Sequence, residues 1–155
     1  MNGHEQMMCE LQAEAFELSV AIFKCGSALF ISRYMNSDIA KKLDKTNDPY
    51  NYSSPNTLIT TMATLYRSLN ERDGEKYPKK VMHWIGYIYR AYTLITKNTS
   101  SNIYKIIKAE KMLSLYETYH TFSPEYSVDR LKELTKESII KLDDYEVYKQ
   151  IREQK

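Results

Sequence analysis

The chain has 155 residues, of which 43% are hydrophobic and 27% charged, with only 4 Gly, 4 Pro and 2 Cys and a formal net charge of +2. A chain of this length normally forms one domain with its own core, and so few turn-forming residues argue against both disorder and a strand-rich fold. Cys9 and Cys25 belong to no CxxC pair, so the sequence predicts neither a zinc site nor a disulfide framework and fits a reducing cytoplasm. The first residues are acidic and polar and lack the basic start of a secretory signal.

The N-terminal region, residues 5–34, is predicted to be helical throughout. It contains no proline, and its apolar residues recur at alternating steps of three and four, which is a heptad pattern. The seam consists of Met8, Leu11, Ala15, Leu18, Ile22, Cys25 and Leu29. A second apolar row makes this helix broader than a two-stranded coiled coil requires. We therefore expect burial within a bundle, completed either by the chain alone or by a second copy in a homodimer through residues 8–29.

Helical spacing continues over residues 34–43, and a segment without periodicity follows from Lys45 to Asn56. The segment is rich in Asn, Asp, Ser, Pro and Tyr, so it predicts a loop of about a dozen residues, and loops this long often carry function. Tyr50 and Tyr52 at its centre are either exposed anchors for a partner or lids packed on the core. A further helix follows the loop and runs through Leu69.

Residues 78–95 form a strongly apolar helical segment that contains the single tryptophan. One face of the predicted helix is made by Val81, Trp84, Ile85, Ile88, Tyr92 and Ile95, which recur at three- and four-residue steps. Lysine, histidine and arginine interrupt the segment, so it is too polar to cross a membrane and predicts a central core helix. His83, Tyr87 and Arg90 form the remaining row, which is either the solvated side of this helix or a recognition stripe.

Three more helical segments are predicted beyond the central one. The turn KNTSS is followed by a helix over residues 102–108, and helical spacing resumes over residues 112–119. Ser123, Pro124 and Glu125 together form a strong helix start, because Ser caps, Pro suits the first position and an acid suits the first turn. The final residues, 145–155, are either a short helix or a frayed, flexible tail.

The central helix, the KNTSS turn and the helix after it also fit a helix-turn-helix. In that interpretation the start of the recognition helix contains Ser100, Ser101, Asn102, Tyr104 and Lys105. Short helical hairpins occur in any α protein, however, so the pattern alone does not show a DNA-binding regulator.

No catalytic motif stands out in the sequence. Glu117 and His120 match half of the ExxH pair found in di-iron bundles, but neither of the other histidines completes a second pair. Cys9 and Cys25 lie within an apolar helical pattern, which is typical of inert core thiols. GxSxG, Walker and GxGxxG segments are absent. We therefore predict a protein that is not an enzyme and has no catalytic residue, metal site or cofactor.

Charge is unevenly distributed along the chain. Residues 76–111 contain eight Lys or Arg and one acidic residue, a net charge of +7, whereas the segments on either side are slightly acidic. This basic third either attracts phosphate or an acidic partner surface, or is faced by the chain's own acidic helices.

The run YPKKVMHWIGYIYRAYTLITKNTSSNIYKIIK, followed by LYETYHTFSPEYSVDRLKEL, resembles a group of short helical proteins of low-GC Gram-positive bacteria. These proteins are often encoded on mobile elements near toxin-like genes. The resemblance covers roughly residues 28–133, and the strings WIGYIYR and YHTFSP carry it. It implies an antitoxin or immunity-type role, in which a small protein binds and blocks a partner, and it supplies no catalytic residue.

The sequence as a whole predicts a single all-α domain over residues 1–155. We expect a bundle of five to seven helices around a central hydrophobic helix near residues 78–95. The predicted function is that of a cytoplasmic module that binds and blocks a partner protein such as a toxin and does not enter a membrane. A DNA-binding regulator and a self-associating structural bundle are the alternatives. The predicted partner-binding residues are His83, Tyr87, Arg90, Lys97, Tyr104, Lys105 and Lys108, with Tyr50 and Tyr52 from the long loop.

Overall fold

The computed structural model describes residues 1–45 and 54–136, and this part of the chain is all α-helical and contains no strand. The α-helices are α1 (Gly3–Ile22), α2 (Ser27–Met35), α3 (Asp38–Lys45), α4 (Pro55–Leu65), α5 (Lys79–Thr96), α6 (Ser100–Ile106) and α7 (Ala109–Tyr119). A 3-10 helix covers Arg67–Asn70, and residues 124–136 form α8 up to the end of the described part. Tyr50, Tyr52 and the tail 145–155 lie outside the described residues.

The all-α prediction is confirmed, but the helix number of five to seven is too low. The predicted helix over residues 5–34 is divided, because α1 ends at Ile22 and α2 begins at Ser27. The divided chain passes close to the segment before α5, where a Cβ added to Gly74 would lie 2.6 Å from the Gly26 nitrogen. Only glycine fits at such a backbone contact, and its neighbours make inter-segment hydrogen bonds in place of helical ones. The Cys25 N–H donates to Leu69 O at 2.9 Å.

The C-terminal end of α1 is held by a lysine from the basic third of the chain. Lys76 Nζ donates to the carbonyl oxygen of Val20 at 2.8 Å and also to that of Phe23. A cation suits this position because the last carbonyls of a helix are unpaired and carry partial negative charge. Because α1 stops here, the seam proposed for a homodimer does not continue along one helix. Met8 and Cys25 are buried within the chain, whereas Ile22 is about half exposed.

The central helix is confirmed as α5, and its main partner is α1. The two backbones come close at Gly86, where an added Cβ would lie 2.9 Å from the carbonyl oxygen of Gln12 and 2.8 Å from the ring of Phe16. Gln12 also donates its side-chain amide to the carbonyl oxygen of Gly86 at 2.8 Å. This contact fixes α5 against α1, and the remaining helices pack around the pair. None of the helices within the described residues is long and apolar enough to span a membrane.

Candidate functional site

Arg90, one of the predicted contact residues, is fully buried and belongs to a polar network inside the bundle. Its side chain is 0% exposed, and Nη1 lies 2.7 Å from Oδ1 of Asp44, which is itself only 8% exposed. Nε and Nη2 donate to Oε1 of Gln12 at 3.0 and 2.8 Å. The same Gln12 oxygen accepts the hydroxyl proton of Tyr34 at 2.9 Å. The network therefore joins α1, α2, α3 and α5.

The guanidinium of Arg90 has no donor left for a partner molecule. Nη1 also donates to Thr93, and Nη2 to Ser100, so all five N–H groups of the guanidinium are used. Ser100 completes the network, because its N–H and hydroxyl both donate to the Asp44 carboxylate at 2.8 and 2.7 Å. Arg90, predicted as a contact residue, is therefore buried inside the bundle, and its side chain binds other residues of the same chain.

The other predicted contact residues do not form one surface. Lys97 is exposed at the end of α5 with a left-handed φ of 56°, and it lines a polar cavity of about 450 Å³ beside Asp44. Tyr104 is half-buried against the core, and Lys105 and Lys108 are exposed on and just after α6. His83 and Tyr87 line one cavity, whereas Lys97 lines the cavity beside Asp44 together with Arg90.

The first two residues of α6 are bound by other helices of the chain. Ser100 is buried and bound to Asp44, and the Ser101 hydroxyl donates to Oδ1 of Asn36 at 2.8 Å. The helix is seven residues long. Ser100 and Ser101 are thus held by the chain itself, whereas Asn102 and Lys105, one turn further along the helix, are exposed.

His83 and Tyr87 line an open aromatic groove of about 300 Å³ between α1, α5 and α7. The groove is lined by Glu10, Lys80, His83, Trp84, Tyr87, Ile88, Tyr116, His120, Phe122 and Pro124. Tyr116 and His120 stack at 4.5 Å between ring centroids, and Trp84 meets Tyr116 edge-on at 5.7 Å. Stacked and edge-on pairs of this kind hold each ring in one orientation. We call this cavity the aromatic groove.

Aromatic side chains continue from the groove onto the surface of the turn before α8. Phe122 contacts Tyr126 edge-on at 4.9 Å, and Tyr119 lies 5.7 Å from Phe122. Phe122 is 37% exposed and Tyr126 49% exposed. The sequence pattern placed Trp84 on the apolar face of the central helix and did not single out Phe122 or Tyr126. The available signal was the density of aromatic residues around the SP turn that starts α8.

Acidic side chains from α1 stand beside this groove. Nε2 of His83 lies 3.2 Å from Oε1 of Glu10, and Nδ1 lies 3.9 Å from Oε2 of Glu17. Burial raises the pKa of Tyr87 above its ordinary value, and nearby Cys9, Glu10 and Glu125 raise it further. On this side of α5, carboxylates of the chain thus lie beside His83 and near Tyr87.

The two cysteine thiols are placed in unreactive surroundings. Burial raises the pKa of the Cys9 thiol to about 12 and also raises that of Cys25, so neither thiol is activated as a nucleophile. Nδ1 of His120 is 2.8 Å from the carbonyl oxygen of Tyr116. Across residues 1–45 and 54–136, no three His, Cys, Asp or Glu side chains are grouped to hold a metal ion. The geometry of the aromatic groove is suited to binding.

Fold and site together describe an all-α protein with an aromatic groove open to solvent. Comparison with protein-family models, with curated proteins and with solved structures finds no match to the chain.

Proposed function

We propose that the chain is a non-enzymatic, cytoplasmic protein-binding module that binds and blocks a partner protein in the manner of an antitoxin or immunity protein. The observation that supports binding is the aromatic groove with its exposed extension at Phe122 and Tyr126. Exposed aromatic residues are enriched at protein interfaces, where they supply large contact areas with little loss of conformational freedom. The blocking role comes from the resemblance of residues 28–133 to antitoxin-associated proteins.

The size of the groove limits what enters it. A volume of about 300 Å³ accommodates one or two side chains of a partner, not a folded element. The rest of the interface would then be formed by the rims, which include Phe122, Tyr126 and the exposed side of α1. An anchor residue seated between aromatic walls is typical of the few positions that dominate binding energy, each contributing roughly 2 kcal/mol or more on truncation.

The test is a capture experiment with a matched pair of variants. Tagged wild-type chain, Phe122→Ala and Leu65→Ala are used to capture partners from native cells, each with and without nuclease. Leu65 is a suitable control because it is 51% exposed and apolar but lies on α4, outside the groove. Circular dichroism establishes that all three chains are folded.

We expect one stoichiometric protein that survives nuclease, is retained by Leu65→Ala and is lost or strongly reduced with Phe122→Ala. The blocking role further requires that the captured protein's activity falls when wild-type chain is added and recovers when Phe122→Ala replaces it. Equal capture by both variants would show that the groove is not the binding site. Recovery of nucleic acid alone would favour the DNA-binding alternative, and recovery of the chain alone would favour self-association through residues 8–29.

A further inference from the structure

We infer that the aromatic groove receives a basic side chain, arginine or lysine, from a partner protein. The inference rests on the proposed function and specifies the chemistry of the residue that enters. It is drawn from three features of the groove: aromatic ring faces, carboxylates along one wall, and an absence of Lys and Arg on that wall.

The acidic wall is α1. Gly3–Ile22 contains four glutamates and no Lys or Arg, and Glu10 and Glu17 are the two that approach the groove through His83. Glu10 is about half exposed and contacts the imidazole of His83 through Oε1. Its carboxylate therefore stands at the groove with room for a second, charged partner.

The aromatic walls favour the same occupant. A cation over the face of Trp, Tyr or Phe is attracted by the negative potential of the ring, and arginine also stacks on such faces. Trp84 and Tyr116 line the groove but are each only 9% exposed, and Tyr116 stacks on His120, so Phe122, at 37% exposure, presents the most open ring. A guanidinium placed here stacks on the exposed ring of Phe122 while its N–H groups donate to the carboxylate of Glu10, a combination that suits arginine.

Two positive groups near the groove disfavour the binding of a cation by electrostatic repulsion. Lys80 lines the groove, and the N-terminal ammonium lies 3.5 Å from Oε1 of Glu125. The second group is already paired, whereas Lys80 forms no ion pair with another residue of the described part of the chain, so it is the cation that an incoming basic side chain meets. Glu10 and Lys80 both line the groove, with Glu17 beside His83, so Glu10 and Lys80 give the test two variants of opposite sign.

The experiment uses the full chain and capped tripeptides, Gly-Arg-Gly, Gly-Lys-Gly, Gly-Gln-Gly and Gly-Glu-Gly, at millimolar concentration. Trp84 is the single tryptophan and lines the groove, so its fluorescence reports binding directly. We expect the arginine and lysine peptides to change the emission saturably and the glutamine and glutamate peptides to have at least about threefold weaker effects. Glu10→Gln should lower the affinity for the arginine peptide by about threefold, and Lys80→Gln should raise that affinity.

The same two variants are then compared in capture of the partner. Opposite changes in Glu10→Gln and Lys80→Gln, with capture still lost in Phe122→Ala, support the inference. If Phe122→Ala abolishes capture but neither charge variant changes it, the proposed function stands and the basic occupant is wrong. An equal change in Trp84 emission with the arginine, glutamine and glutamate peptides overturns the inference as well. If Phe122→Ala leaves capture intact, it is the proposed function that fails.

Discussion

Replacement of Arg90 by methionine tests whether the buried network is structural. The substitution keeps an apolar stem of similar length but leaves Asp44 as a carboxylate that is only 8% exposed and has lost its cation. Removal of one partner of a buried ion pair costs about 3–5 kcal/mol. Because Asp44 borders an open cavity of about 450 Å³, water can approach the carboxylate. We therefore expect a loss near the lower end of that range, about 3 kcal/mol.

The loss is measured by urea denaturation followed by circular dichroism and by Trp84 fluorescence. A domain of this size has a total stability of roughly 5–15 kcal/mol. Arg90→Met should therefore lower the urea midpoint strongly while the chain still folds. Lys105→Met is the matched control, because Lys105 is an exposed lysine of the same basic segment and should change stability by about 0.5 kcal/mol or less.

A double-mutant cycle with Asp44→Asn identifies the cause of the loss. If the unpaired carboxylate of Asp44 causes the loss, Asp44→Asn removes that charge in the Arg90→Met background. The double variant should then be more stable than the sum of the single losses predicts, by about 1–3 kcal/mol. An Arg90→Met loss below about 1 kcal/mol, or additivity of the two substitutions, would refute the reasoning.

Two further predictions concern packing and pH. Gly86→Ala places a Cβ 2.9 Å from the backbone of Gln12, so α1 and α5 must separate. We expect the free energy of unfolding, measured by urea denaturation, to fall by about 1–3 kcal/mol despite alanine's better helix propensity. A gain in stability would contradict this contact. Burial raises the pKa of Cys9 from 9.0 to about 12 and also raises that of Tyr89, so both groups ionise first in the unfolded state. This stabilisation is present below the unfolded-state pKa of each group and is lost as the pH rises above it. Between pH 8 and pH 11 we expect a loss of about 2–3 kcal/mol from Cys9 and a further loss from Tyr89, so the total loss should be smaller in Tyr89→Phe. A flat profile would show that these groups are not buried in solution.

The parts of the fold that the sequence predicted are those specified by local periodicity. The apolar pattern of residues 78–95 is long and regular, and α5 occupies Lys79–Thr96. The start of α8 follows the SP signal at residues 123–124 in the same way. These features depend on residues within a few turns of one another, so a single sequence is sufficient to reveal them.

The break between α1 and α2 could not be predicted in this way. The heptad pattern continues through Cys25 and Leu29, and a single Gly26 is tolerated in a helix. The cause is a contact with Gly74, almost fifty residues away, together with the hydrogen bond that Cys25 makes to Leu69. Long-range backbone contacts of this kind leave no periodic trace in the sequence.

The candidate site was predicted only in part, because charge patterning does not distinguish a buried cation from an exposed one. Arg90 shares the row of His83 and Tyr87, yet only those two line the aromatic groove. Arg90 lies inside because Asp44 and Gln12, far apart in sequence, converge on it. The groove itself is assembled from three helices, so its aromatic residues appear in the sequence as unrelated core positions.

The buried Arg90 network and the aromatic groove both lie along the contact between α1 and α5. Gln12 connects α1 to both Arg90 and Gly86 of α5, while Glu10 connects α1 to His83 on the groove side. A change at Arg90 therefore alters the spacing of α1 and α5, and with it the width of the groove, although Arg90 has no free donor for a partner. Loss of partner binding in an Arg90 variant would thus indicate altered groove geometry, whereas loss in a stable Phe122 variant would indicate a missing contact.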